Sequence, residues 1–215
     1  CAHALERPWW GGGLAGAAIG GMALAGGLLP AIALGAVVLA LPALSPAFRL
    51  TAGRWMPACV LKTAGIALAW TAALTWAPGT PSGEPARWLA AHGAQFQGIS
   101  ADQALHFLRT TPWYFWPAWP LAAWALSRWR GRLAEPALML PLAVLAATTV
   151  AATAGADQAD RLLPLMAPPL AMLAGAGLPT MRRAVVSLID WFAVMTFTLI
   201  GFAVWAYWLA LLTGF

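Results

Sequence analysis

Residues 9–44 carry no charged side chain. As one helix this run would be roughly 54 Å long at 1.5 Å per residue, against a bilayer hydrocarbon core of about 30 Å. Two crossings are therefore predicted, with the reversal at Gly26-Gly27 and Pro30 in the first turn of the second helix. Further apolar runs over 57–77, 113–127, 136–154, 162–179 and 187–212 bring the expected count to seven. Composition agrees: 61% of the 215 residues are apolar and 9% are charged, whereas a soluble domain carries roughly 25% charged residues. Disorder is excluded because it requires low hydrophobicity and high charge. The predicted fold class is an all-α, polytopic transmembrane helix bundle forming a single domain over 1–215.

The net charge of +5 rests on 12 basic and 7 acidic residues. The basic residues sit in short clusters between apolar runs, the pattern that orients helices in a bilayer rather than one that binds nucleic acid. Arg7, the pair Arg49 and Arg54, the trio Arg128, Arg130 and Arg132, and the pair Arg182 and Arg183 fall at alternate ends of successive spans, as a cytoplasmic set should. The opposite, periplasm-like side then holds the segment 78–111, the loop around Asp157 and the C-terminus. Cys1 and Cys59 form no disulfide framework. Position 1 is not Met, and no signal peptide precedes the first span, so the chain reads as a fragment of a longer protein.

Within the spans, Gly12, Gly16 and Gly20 share one helix face and predict close helix packing. Trp191 at one end of the last span and Trp205, Tyr207 and Trp208 at the other read as interfacial anchors. Asp190 follows Ser187 by three residues and is expected in a first helical turn, complementing the dipole and pairing with Arg183. Lys62 is expected to snorkel.

Segment 78–111 is long enough to form substructure outside the bilayer core. Pro81-Ser82-Gly83-Glu84-Pro85 predicts a turn into a short helix with Trp88 and Leu89; His92 stands there without a second metal ligand at helical spacing. A second helix starts at Ser100, which forms a capping box with Gln103. Its Ala101, Ala104, Leu105 and Leu108 make an apolar face, and Asp102, His106 and Arg109 a polar one. The helix is amphipathic and suited to a membrane surface. Its polar face is either a solvated surface meeting headgroups or a ligand-holding face in which Arg109 makes bidentate phosphate contacts. Asp157 and Asp160 either cap a helix or supply carboxylates to a divalent cation, while Arg161 could clamp a lipid phosphate.

Two stretches carry a resemblance. Thr111-Pro112-Trp113-Tyr114-Phe115-Trp116-Pro117-Ala118-Trp119-Pro120 and Arg161-Leu162-Leu163-Pro164-Leu165-Met166-Ala167-Pro168-Pro169-Leu170 resemble segments of bacterial glycosyltransferases of the dolichyl-phosphate-mannose protein mannosyltransferase superfamily, which includes the aminoarabinose lipid A transferases. Asp190-Trp191-Phe192, Met195-Thr196-Phe197 and the ending Leu212-Thr213-Gly214-Phe215 are similar to the last helices of a proteobacterial subgroup.

The resemblance implies a GT-C fold in the bacterial inner membrane and transfer of a sugar from a polyprenyl-phosphate donor to a lipid or protein acceptor on the non-cytoplasmic side. The family's catalytic acid lies on a large loop near the N-terminus that has no counterpart here, so no catalytic residue and no cofactor is assigned. Arg109 and Arg161 would neutralise the donor phosphate, Trp113 and Tyr114 would stack on lipid or sugar at the interface, and Asp102 and His106 would complete the binding face. The rival class is a transporter or flippase subunit with helices broken at Pro120, Pro141 or Pro168-Pro169; a structural membrane subunit is a third.

Overall fold

A computed structural model describes residues 6–76, 83–93, 101–154 and 159–214, with side chains of the last stretch from 162 onward. Among them there are helices and turns and no strand. In chain order these are α1 (Pro8–Gly26), α2 (Leu28–Leu44), α3 (Pro46–Trp76), α4 (Glu84–Gly93), α5 (Ala101–Tyr114), α6 (Ala118–Arg128), α7 (Pro136–Ala154), α8 (Ala159–Gly177) and α9 (Arg183–Thr213), with single 3-10 turns at Arg130–Arg132 and Leu178–Thr180.

Gly27 makes the predicted reversal between α1 and α2, at a φ of +92° that glycine adopts without strain. α1 and α3 then run parallel and touch backbone to backbone. A Cβ added at Gly12 would meet the Trp55 carbonyl oxygen at 2.0 Å, and one at Gly16 the Cys59 carbonyl oxygen at 2.2 Å. The Thr63 hydroxyl donates to the Gly16 carbonyl at 3.1 Å across the same contact, and Gly20 lies against Ile66. Beside it, Trp55 is buried edge-on to Phe48 and donates its indole N–H to the Phe48 carbonyl at 3.3 Å. Val37 and Leu41 of α2 and Met139 of α7 complete this cluster. A second core joins Leu29 and Ala33 of α2, Phe107 of α5, Ala122 of α6, Ala151 and Ala152 of α7, and Leu162, Leu163, Met166, Leu170 and Leu173 of α8.

Among the described residues, four helical stretches are long and apolar enough to cross a membrane: α3, α7, Leu162–Thr180 (α8 with the 3-10 turn that follows it), and α9. They mark the chain as a membrane protein. The expected count of seven is not reached by that measure, for three separate reasons. Seven glycines among its 19 residues dilute the hydropathy of α1, and α2 has 17 residues. The run 113–127 is interrupted at 115–117, before Pro117, whose ring removes a backbone donor and disfavours helix at Trp116; α6 keeps 11 residues, about 16 Å. α3 begins at Pro46 rather than 57, so Arg49 and Arg54 lie on its first turns, and Arg49 Nε caps α2 by donating to the Pro42 carbonyl at 3.0 Å.

Proline does not break the other spans. Pro141 lies inside α7, and Pro164, Pro168 and Pro169 lie inside α8. Pro120 sits in the first turn of α6, where a missing N–H costs little. Threonines inside α7 satisfy themselves locally: Thr148 donates to the Val144 carbonyl at 2.8 Å and Thr149 to the Leu145 carbonyl at 2.7 Å. The arginine clusters gather at one end of the bundle. There the Trp124 indole donates to the Thr180 hydroxyl and the Trp129 indole to the Ala176 carbonyl, both at 3.1 Å. Arg132 pairs with Glu135 and lies 5.2 Å from the centre of the Trp129 ring.

Asp190 departs from its expected place. α9 starts at Arg183, which makes Asp190 its eighth residue, outside the first turn, and no ion pair joins it to Arg183. α9 has no buried residue; it approaches the bundle where Phe192 meets Trp116 edge-on at 6.4 Å. The backbone contact at Gly16 gives a direct test of the α1–α3 packing. Gly16→Leu should destabilise the protein by about 1–3 kcal/mol or more through overpacking, whereas Gly13→Leu, where a Cβ meets nothing within 4 Å, should be tolerated; thermal unfolding of the two variants in detergent compares them.

Candidate functional site

α5 is 14 residues long and carries five of the six candidate residues. Its inward residue is Phe107, 5% exposed and seated in the core with Leu162 and Leu163. Thr111 lies on the same face and donates to the Phe107 carbonyl at 2.6 Å. Leu105 and Leu108, on the apolar face expected at the membrane surface, are 46% and 65% exposed. The reason is that the aromatic ring of Phe107 buries more apolar surface than either leucine could. α5 therefore has three faces rather than two: Phe107 against the bundle, Leu105, Leu108 and Pro112 outward and apolar, and Asp102, His106, Arg109 and Trp113 as an exposed polar and aromatic stripe. Such a helix can sit at an interface with one flank in lipid and one in water.

The stripe follows from spacing, since offsets of four, three and four residues stay on one helix face. Tyr114, at the end of α5, stands edge-on to buried Phe115 with ring centres 4.9 Å apart. Arg161 lies in α8 next to core residue Leu162, at the end of α8 that α5 packs against; its side chain, like that of Asp160, lies outside the described residues, as do Asp157 and the Ser100 end of the capping box. Gln103 Oε1 is buried with no hydrogen-bond partner among the described residues. No three His, Cys, Asp or Glu side chains converge as metal ligands among the described residues.

A second feature lies on α4. Trp88 stacks on His92 with ring centres 4.0 Å apart and meets Trp70 of α3 at 4.9 Å. His92 Nδ1 lies 2.8 Å from the Trp88 carbonyl oxygen, and Glu84 pairs with Arg87 at 3.4 Å. Under this helix runs an apolar groove of about 360 Å³ lined by Leu24, Leu28, Trp70, Thr71, Trp88 and Leu89. The four-residue spacing of Trp88 and His92 signals their stacking in the sequence; the partner Trp70 is invisible there because it comes from another helix. Leu28 lines this groove, while its neighbour Leu29 belongs to the same buried cluster as Phe107. The groove can hold an apolar chain, and the guanidinium of Arg109 offers a planar donor pair to a phosphate.

Comparison of the chain with family profiles, curated proteins and solved structures finds no match. The geometry of α5 can be checked by thiol labelling in a background lacking Cys1 and Cys59. Asp102→Cys and Arg109→Cys should react readily with a water-soluble maleimide, and Phe107→Cys should be protected until the protein is unfolded.

Proposed function

We propose that the chain belongs to a GT-C membrane glycosyltransferase that takes its sugar from a polyprenyl-phosphate donor. The observation that carries this reading is that the two short helices supply a charged, exposed stripe, on α5, and an apolar groove, roofed by α4. A lipid-linked donor needs those two chemistries side by side: an apolar channel for the isoprenoid and cationic donors for the phosphate, which becomes the leaving group. In this reading Arg109 and Arg161 neutralise that phosphate, Trp113 and Tyr114 hold lipid or sugar at the interface, and Asp102 and His106 border the acceptor. The enzyme lies in a bacterial inner membrane with the arginine-rich end in the cytoplasm and α4 and α5 on the periplasmic side. α1, α2 and the run 113–127 complete seven passes together with the four longer helices.

The transporter alternative draws less support, because α7 and α8 continue through Pro141, Pro168 and Pro169 and present no half-helix ends to a substrate. The test uses membrane vesicles containing the full-length protein and a radiolabelled polyprenyl-phosphate sugar. Arg109→Ala should lower transfer about ten- to a hundredfold at unchanged protein level, the scale of one charged hydrogen-bonding group, and Arg161→Ala likewise. Transfer unaffected by both substitutions would reduce the arginines to headgroup anchors, and absence of transfer by the wild type with any such donor would favour the transporter class.

A further inference from the structure

Two side chains of opposite charge lie inside apolar helices with no counter-charge among the described residues. Lys62 is exposed in the middle of α3, and Asp190 is exposed on α9; the described ion pairs, Glu84–Arg87 and Arg132–Glu135, involve neither. A charge at that depth is costly when it faces hydrocarbon. The surfaces around the two are complementary in form. Lys62 lies in a groove of about 350 Å³ between α1 and α3, with Trp9, Trp10, Gly13, Leu14 and Ala17. Gly13 and Gly21, with Ala17 between them at four-residue spacing, leave open space on this outer face of α1, the small-residue pattern that admits a helix closely. On α9, Asp190 shares one face with Ser187, Val194, Phe197 and Gly201, all exposed.

Asp190 stands roughly 10 Å along α9 from its start at Arg183, and Lys62 roughly 24 Å along α3 from its start at Pro46; a lysine stem directed toward the helix start shortens that difference. The groove around Lys62 extends to Trp9 and Trp10 at the start of α1, so the lysine side chain runs back toward the basic end. Both helices start at that end, and the Phe192–Trp116 contact holds the first turns of α9 beside the bundle.

We propose that the chain forms a two-fold dimer in which the Asp190 face of α9 of each copy enters the α1–α3 groove of the other and pairs with its Lys62. A lipid phosphate would meet the lysine but leave the carboxylate facing hydrocarbon. A second copy satisfies both charges, twice, within one isologous interface. The proposal is independent of the transferase reading.

The experiment measures energy transfer between donor- and acceptor-labelled full chains in phosphatidylcholine bilayers, which hold no anionic lipid. The wild type should associate. Lys62→Asp and Asp190→Lys should each weaken self-association about tenfold or more, the scale of one interhelical polar contact. Mixing the two variants should restore association, because each copy then offers the charge the other lacks. Circular dichroism and monodisperse elution check that each variant folds, and Lys62→Gln with Asp190→Asn, which keep side-chain shape, provide a second pair should charge reversal disturb insertion. A monomeric wild type, an unchanged single variant, or a mixture that fails to associate would overturn the proposal. So would sensitivity confined to Lys62 and dependent on added anionic lipid, which would assign the lysine to headgroup binding.

Discussion

The contact on which the architecture depends is the meeting of α1 with α3 at Gly12 and Gly16, where main chain lies against main chain. In a bilayer no hydrophobic force draws two helices together, since lipid tails are as apolar as side chains; close packing and hydrogen bonds across the interface have to do it. Missing Cβ atoms admit the carbonyls of Trp55 and Cys59, and Thr63 spans the gap to Gly16. With α1 and α3 parallel, α2 has to return between them in sequence, and its Val37 and Leu41 join Phe48, Trp55 and Met139 in one cluster. The other half of the bundle is then attached through α2 and α7.

That attachment determines what the polar helices can do. α4 settles over the ends of α1, α2 and α3 through Trp88 and Trp70, whereas α5 is held by Phe107 in the core that α7 and α8 share. The two short helices thus belong to different halves of the bundle. An apolar groove and a charged stripe come from separate stretches of chain, and neither has a counterpart in the other's sequence pattern.

Much of this was legible in the sequence where the signal is local. The break at Gly26-Gly27, the bounds of α7, the short α4 and the packing role of the glycine stripe all follow from charge-free length, dihedral freedom and four-residue spacing. The failures have equally definite causes. Hydropathy counts carbon and not continuity, so 113–127 reads as one span although Pro117 divides it. Helical periodicity gives two faces to α5, but a third appears because Phe107 outcompetes Leu105 and Leu108 for the core. Ser187 resembles a cap and predicts Asp190 in a first turn; the apolar Val185 and Val186 extend the helix back to Arg183. For the candidate site, the stripe on α5 is readable from spacing, whereas the α4 groove depends on Trp70 and Leu24 from other helices, which no local pattern encodes.

The contrast between α1 and α9 has a consequence for biogenesis. α9 has 31 residues, uncharged from Trp191 onward, and packs on almost nothing, so it can leave the insertion machinery for lipid on its own hydrophobicity. α1, with seven glycines, lacks the hydropathy of the four long spans, and its glycine face is satisfied by a helix synthesised some forty residues later. Stable integration of the first helix therefore waits for α3, which makes α1, α2 and α3 one unit of membrane assembly, and any slowing of synthesis between them leaves the glycine-rich helix without its partner.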